Sequence, residues 1–191
     1  MVKYKHIYDR IIKNLDENLD PNLAYHTLQH TLLVMDWAQE LAKRENVTDR
    51  EYTLIQLAAL FHDTGFLISR EEHEMRGCEI ARTELANEDL TDAELDAVCG
   101  MIMATKIPQS PKNHLDRILV DADLYYLGTD DYDKYSNFLY EELKHFNPSF
   151  TQEDWKQIQI KFLEGHQYTT DFAKNQLEPT KKVHLERIKR S

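Results

Sequence analysis

Four side chains in the sequence are of the types that hold a divalent cation: His30, the adjacent pair His62-Asp63, and Asp123. Each falls on or beside an apolar helical stripe, so each arrives at the protein interior and not at a solvated face. An ionised carboxylate in that position needs a partner, and a metal ion is one. Two imidazoles and two carboxylates make a mixed nitrogen and oxygen set that suits Mn²⁺, Fe²⁺, Co²⁺, Ni²⁺, Zn²⁺ or Mg²⁺ and leaves positions open for water and substrate. That is the pattern of a catalytic centre, because a structural site is closed by its own ligands.

The elements that must position these residues follow from hydrophobic spacing. Leu54, Leu57, Ala58 and Phe61 recur at i, i+3, i+4 and i+7, the core stripe of a third helix that runs straight into His62-Asp63. Adjacent residues on a regular helix diverge by roughly 100°, so the pair can share an ion only at the helix end, and Gly65 is expected to let the chain turn there. A second helix over about 25–44 carries Leu33, Val34, Trp37, Ala38 and Leu41, with His26 and His30 one turn apart on one face at its start. A sixth helix over about 114–127 sets Asp121 and Asp123 among Leu115, Ile118, Leu119 and Ala122, with Gly128 as its stop. Thr48 to Glu51 and Thr91 to Glu94 have capping-box spacing and start the third and fifth helices. Further helices are expected over about 3–18, 71–86, 131–146 and 152–164. A last one, over about 170–189, is kinked or split at Pro179.

Composition bounds the class. With 191 residues, five glycines, five prolines and almost no strand-like alternation, the chain reads as all-α. One domain over 1–191 accommodates it, with a core over about 25–127 and the helices of 131–191 packing on it. The net charge of -11 disfavours a nucleic-acid polymer or an anionic membrane as partner. Cys78 and Cys99 lie inside helical patterns and read as small core residues. No N-terminal signal or long apolar span appears, so a reduced, cytoplasmic protein is expected.

Tyr25-His26-Thr27-Leu28-Gln29-His30, then His62-Asp63-Thr64-Gly65, then Asp121-Ala122-Asp123-Leu124 resembles the ordered signature of the HD-domain superfamily of metal-dependent phosphohydrolases: a His, a His-Asp pair and a distant Asp. The resemblance covers roughly residues 25–127 and implies a compact helical bundle with a metal site in its core. It also implies that His30, His62, Asp63 and Asp123 are the ligands, with Asp123 preferred to Asp121 for its Ala-Asp-x-Leu context. His26 matches the histidine that protonates the leaving oxygen in the Tyr-His-x-x-x-His of cyclic nucleotide phosphodiesterases, with Thr27 in place of the usual asparagine. An unperturbed imidazole pKa near 6.5 suits that role at neutral pH. The bland alternative is a histidine that orders the start of the helix.

His73, followed by Gly77 and Ile80-Ala81, resembles the segment that supplies a further ligand in two-metal HD centres, where Asp63 would bridge the ions. Those centres usually take a histidine pair from the next helix, and here Thr105-Lys106 stands in that place. Lys106 and Arg70 are cations suited to hold phosphate oxygens, or else ordinary charges at helix ends. The reading is therefore a phosphatase or phosphodiesterase for a small phosphorylated molecule or nucleotide, using one or two divalent ions of undetermined identity. The rival readings are an HD-fold di-iron oxygenase, disfavoured by the missing histidine pair, and a metal-bound regulatory module without turnover.

Overall fold

The structure, a computed structural model, describes residues 2–191. Every regular element among the described residues is helical, as the composition implies. The chain divides into two compact units, one of residues 1–20 and 26–123 and the other of residues 21–25 and 124–191.

In the first unit α1 (Lys5–Asn18), α2 (Leu28–Arg44), α4 (His73–Leu85), α5 (Asp92–Ala104) and α6 (His114–Asp123) accompany a central α3 (Asp49–Phe61). The residues from Leu54 to Phe61 are all buried, because α2, α4, α5 and α6 each pack against α3. A stretch buried on all sides and almost wholly apolar suits such a central position, and the one polar side chain in it, Gln56, donates to Met35 O. Full burial of Ile55, Leu57 and Phe61 contributes roughly 1.5–3 kcal/mol per side chain. Both expected capping boxes form, with the Thr48 and Thr91 hydroxyls accepting from Glu51 N and Glu94 N and each glutamate reaching back to its threonine N–H.

Three starts and stops differ from expectation. Helix α2 begins at Leu28, not near residue 25, because Thr27 adopts an extended conformation and its hydroxyl accepts from His30 N as an N-cap. His26 therefore precedes the helix and does not share a helical face with His30. Helix α4 begins at His73, after Glu72 at φ 55°, a left-handed conformation that costs a non-glycine residue energy. Helix α6 stops at Asp123, and a 3-10 turn spans Tyr125–Gly128.

Gly65 acts by absence of bulk and not by turning. Its φ is not positive, and a Cβ there would lie 1.9 Å from His73 O. Gly77 works the same way from α4, since its Cβ would lie 2.8 Å from Phe61 O. The two glycines seat the start of α4 directly on the end of α3.

The second unit contains α7 (Tyr132–Phe146), α8 (Gln152–Gly165), α9 (Asp171–Gln176) and α10 (Glu178–Arg190). Pro179 lies in the first turn of α10, so the split of the last helix falls where its fixed φ and missing N–H are tolerated. The buried residues of α7 are Tyr132, Ser136, Tyr140 and Glu142, whereas Phe138 is exposed. Glu142 is inside because its carboxylate accepts from Tyr25 N. The Tyr168 hydroxyl donates to the carbonyls of Leu124 or Tyr125. Gly128, expected as a helix stop, again serves close packing, with the place of a Cβ 2.5 Å from Leu177 O.

Candidate metal centre

Helix α3 ends with His62 as its C-cap in helical conformation, and Asp63 leaves the helix at φ -105° and ψ 4° to open the 3-10 turn Thr64–Leu67. That change of backbone turns two adjacent side chains, which a continuing helix would splay, toward one point. His30 reaches the point from the first turn of α2 and Asp123 from the last residue of α6.

Four polar atoms converge there. His30 Nε2 lies 3.3 Å from His62 Nε2, 3.3 Å from Asp63 Oδ2 and 3.2 Å from Asp123 Oδ1. His62 Nε2 lies 3.2 Å from Asp63 Oδ2 and 3.7 Å from Asp123 Oδ1. One ligand atom each from His30, His62 and Asp123 falls within 4.8 Å of the others. An ion bound at ~2.0–2.2 Å spaces neighbouring ligand atoms by ~3.0–3.6 Å, so these separations suit a shared cation. His62 Nδ1 donates to Ala59 O at 2.8 Å, which leaves Nε2 as the lone-pair nitrogen facing inward. Asp63 Oδ2 is shielded from solvent and receives no hydrogen bond from the described residues. A buried carboxylate oxygen left in that state fits a metal ligand.

The electrostatics say the same. Burial disfavours the His30 cation, but Asp123 and Asp63 outweigh it and hold its pKa up at about 10. Burial likewise opposes the upward shift of His62, which the Asp63 charge drives. Burial alone would raise Asp63, yet the facing imidazoles, His62 foremost, keep it well below the usual carboxylate range. Two carboxylates of this unit demand positive charge at the point where the four side chains meet.

A second group adjoins the first. His73 Nδ1 donates to Arg70 O at 3.2 Å, and its Nε2 faces Asp63 Oδ1 at 3.7 Å and Glu74 Oε1 at 3.5 Å. The two oxygens of Asp63 thus face two different imidazole groups. Phe66 stacks on His26 at 4.3 Å and on His73 at 4.2 Å between ring centroids, and it holds His26 6.0 Å from His30 and 6.1 Å from His73.

The structure therefore brings together His26, His30, His62, Asp63, His73 and Asp123. Asp121 is fully buried, and the α6 carboxylate in the cluster is Asp123. Arg70 and Lys106 have exposed side chains, and Arg70 meets the site through its carbonyl oxygen. Sequence reasoning passed over Phe66 and Glu74. Phe66 sits three residues after Asp63, a spacing that a 3-10 turn places on the same side. Glu74 passes in sequence for an ordinary first-turn acid, and its burial has no sequence signal.

The comparisons with known proteins agree with this geometry. A family model described as "HD domain" matches residues 27–126, just over half of the chain and the stretch that contains His30, His62, Asp63 and Asp123. A crystal structure of a predicted HD superfamily hydrolase from an uncultured Thermotogales bacterium superposes with a TM-score of 0.64 at 20% sequence identity. The match covers 97% of this chain and 89% of that one and establishes likeness of fold. No curated protein matches the chain. The chain belongs to the HD domain family.

Proposed function

We propose that this protein is a metal-dependent phosphohydrolase acting on a phosphate mono- or diester of a small molecule or nucleotide. The observation that carries the reading is the inward convergence of His30 Nε2, His62 Nε2, Asp63 Oδ2 and Asp123 Oδ1, with Asp63 Oδ2 buried and given no hydrogen bond by the described residues. The structural neighbour is described as a predicted hydrolase, which is consistent with it.

His30, His62, Asp63 and Asp123 would hold the first ion. His73, with Asp63 Oδ1 and Glu74 beside it, would serve a second where two are bound. A bound divalent ion supplies Lewis acidity, lowering the pKa of water and neutralising charge that develops on the phosphoryl oxygens. The residues of this chain do the rest. His26, half-buried and stacked on Phe66, would give its proton to the leaving oxygen. Phe66 fixes both His26 and His73 in plane, so the proton donor and the second imidazole are positioned before substrate arrives. Lys106 and Arg70 would hold the remaining phosphate oxygens from the surface.

The test is hydrolysis of a panel of phosphate monoesters, cyclic nucleotides and linear diesters with Mn²⁺, Co²⁺, Ni²⁺ or Mg²⁺, run on the wild type and on Asp63→Ala. The reading expects metal-dependent release that the variant loses. Oxygen consumption by an iron-loaded protein that hydrolyses nothing would replace it with an oxygenase. Bound metal with neither activity would make the chain a regulatory module.

A further inference from the structure

Cys78 and Cys99 lie side by side where α4 crosses α5. Cys78 Sγ approaches Cys99 O at 3.5 Å, and Cys99 Sγ approaches Cys78 O at 3.8 Å. These reciprocal contacts turn both thiol side chains into the same seam between the two helices. Each is a free cysteine, buried but with 8% of its surface still exposed. One turn beyond Cys78, the Arg82 guanidinium pairs with Asp96 at 2.5 Å, one turn before Cys99.

We propose that Cys78 and Cys99 are a redox modification site: peroxide converts the pair to a disulfide that staples α4 to α5. The Cys99 thiolate attacks one oxygen of hydrogen peroxide, breaking the O–O bond. With one proton taken up, this yields a Cys99 sulfenic acid and one water. The Cys78 sulfur then attacks the Cys99 sulfur and expels hydroxide, which takes the Cys78 proton and leaves as the second water. Two thiols are oxidised by two electrons and one peroxide is reduced to two waters.

The surroundings assign the order. The Cys78 thiol and then Arg82 lower the Cys99 thiol below its ordinary value, against burial and the Asp96 charge, so Cys99 is the attacking sulfur of the proposal. The hydrogen bond to Cys99 and burial push Cys78 up, so it keeps its proton until the sulfenic acid forms. The staple has a mechanical consequence. Helix α4 opens with His73 and Glu74 and rests on the end of α3 through Gly77, the residue before Cys78. A crosslink at Cys78 fixes the helix that carries His73.

Trypsin provides a direct readout, because Cys78 falls in the fragment 77–82 and Cys99 in the fragment 83–106. Full-length protein treated with hydrogen peroxide should yield these two fragments joined, about 2 Da lighter than their sum, and the product should vanish after reduction with dithiothreitol. A sulfenic-acid trap should label Cys99 in Cys78→Ser, and Cys99→Ser should label weakly at Cys78. Arg82→Gln should slow the reaction by ~3–10-fold, as the thiolate fraction falls. The wild-type fragments need no variant to fold. Their failure to join while both thiols oxidise separately, or trapping at Cys78 in preference to Cys99, would overturn the proposal.

Discussion

Replacing Gly65 by alanine should damage the site through α4 without touching a ligand. The added Cβ would lie 1.9 Å from His73 O, 2.6 Å from its carbonyl carbon and 2.7 Å from its Cα. All three are backbone atoms at the start of a helix, so no side chain can rotate away. Reaching ordinary contact requires the start of α4 to retreat by about 1.5 Å. That retreat would also pull Gly77 away from Phe61 O and loosen the seat of α4 on α3. Overpacking of this kind costs roughly 1–3 kcal/mol, and the absence of any flexible neighbour places Gly65→Ala at the upper end. Urea unfolding should show a lower midpoint with an unchanged slope. Displacing His73 and Glu74 should also reduce any second-ion binding while His30, His62 and Asp123 still bind the first. A variant within 0.5 kcal/mol of wild type, with unchanged metal stoichiometry, would refute the close-approach account of this glycine.

Three further outcomes follow from the same contacts. Uptake of a divalent ion by metal-free protein should release protons, because the His30 pKa stands at about 10 and falls when Nε2 is ligated. Affinity should rise with pH by about tenfold per unit between pH 7 and 9, read by titration calorimetry in buffers of different ionisation enthalpy. Phe66→Leu keeps an apolar side chain but loses both imidazole stacks. It should lower turnover by ~10-fold or more with first-site metal content intact, because positioning and not ligation is lost. Thr91→Ala removes the N-cap hydroxyl of α5 and should cost about 1 kcal/mol in thermal or denaturant unfolding.

The helix that organises the site was legible in the sequence because its signals are local and agree with one another. The capping box at Thr48 and Glu51, the apolar stripe of Leu54, Leu57, Ala58 and Phe61 and the His-Asp pair at its end all point the same way. The requirement that a shared ion sit at the helix end was legible too, and Asp63 meets it by leaving the helix. What stayed hidden depends on partners distant in sequence. Gly65 and Gly128 looked like turns, but their Cβ positions are filled by His73 and by Leu177. Glu142 is buried by a backbone N–H 117 residues away, which no helical spacing reveals. The start of α2 was misplaced because Thr27 is a modest helix former in sequence and a cap in the fold. A third capping box, at Thr151 and Asp154, escaped notice because aspartate stands where glutamate is usual.

The most direct test of the metal centre is anomalous diffraction from crystals of the protein loaded with Mn²⁺. The account predicts a peak at ~2.0–2.2 Å from His30 Nε2, His62 Nε2, Asp63 Oδ2 and Asp123 Oδ1, lost in Asp63→Ala. A peak elsewhere, or none at saturating Mn²⁺, would contradict it.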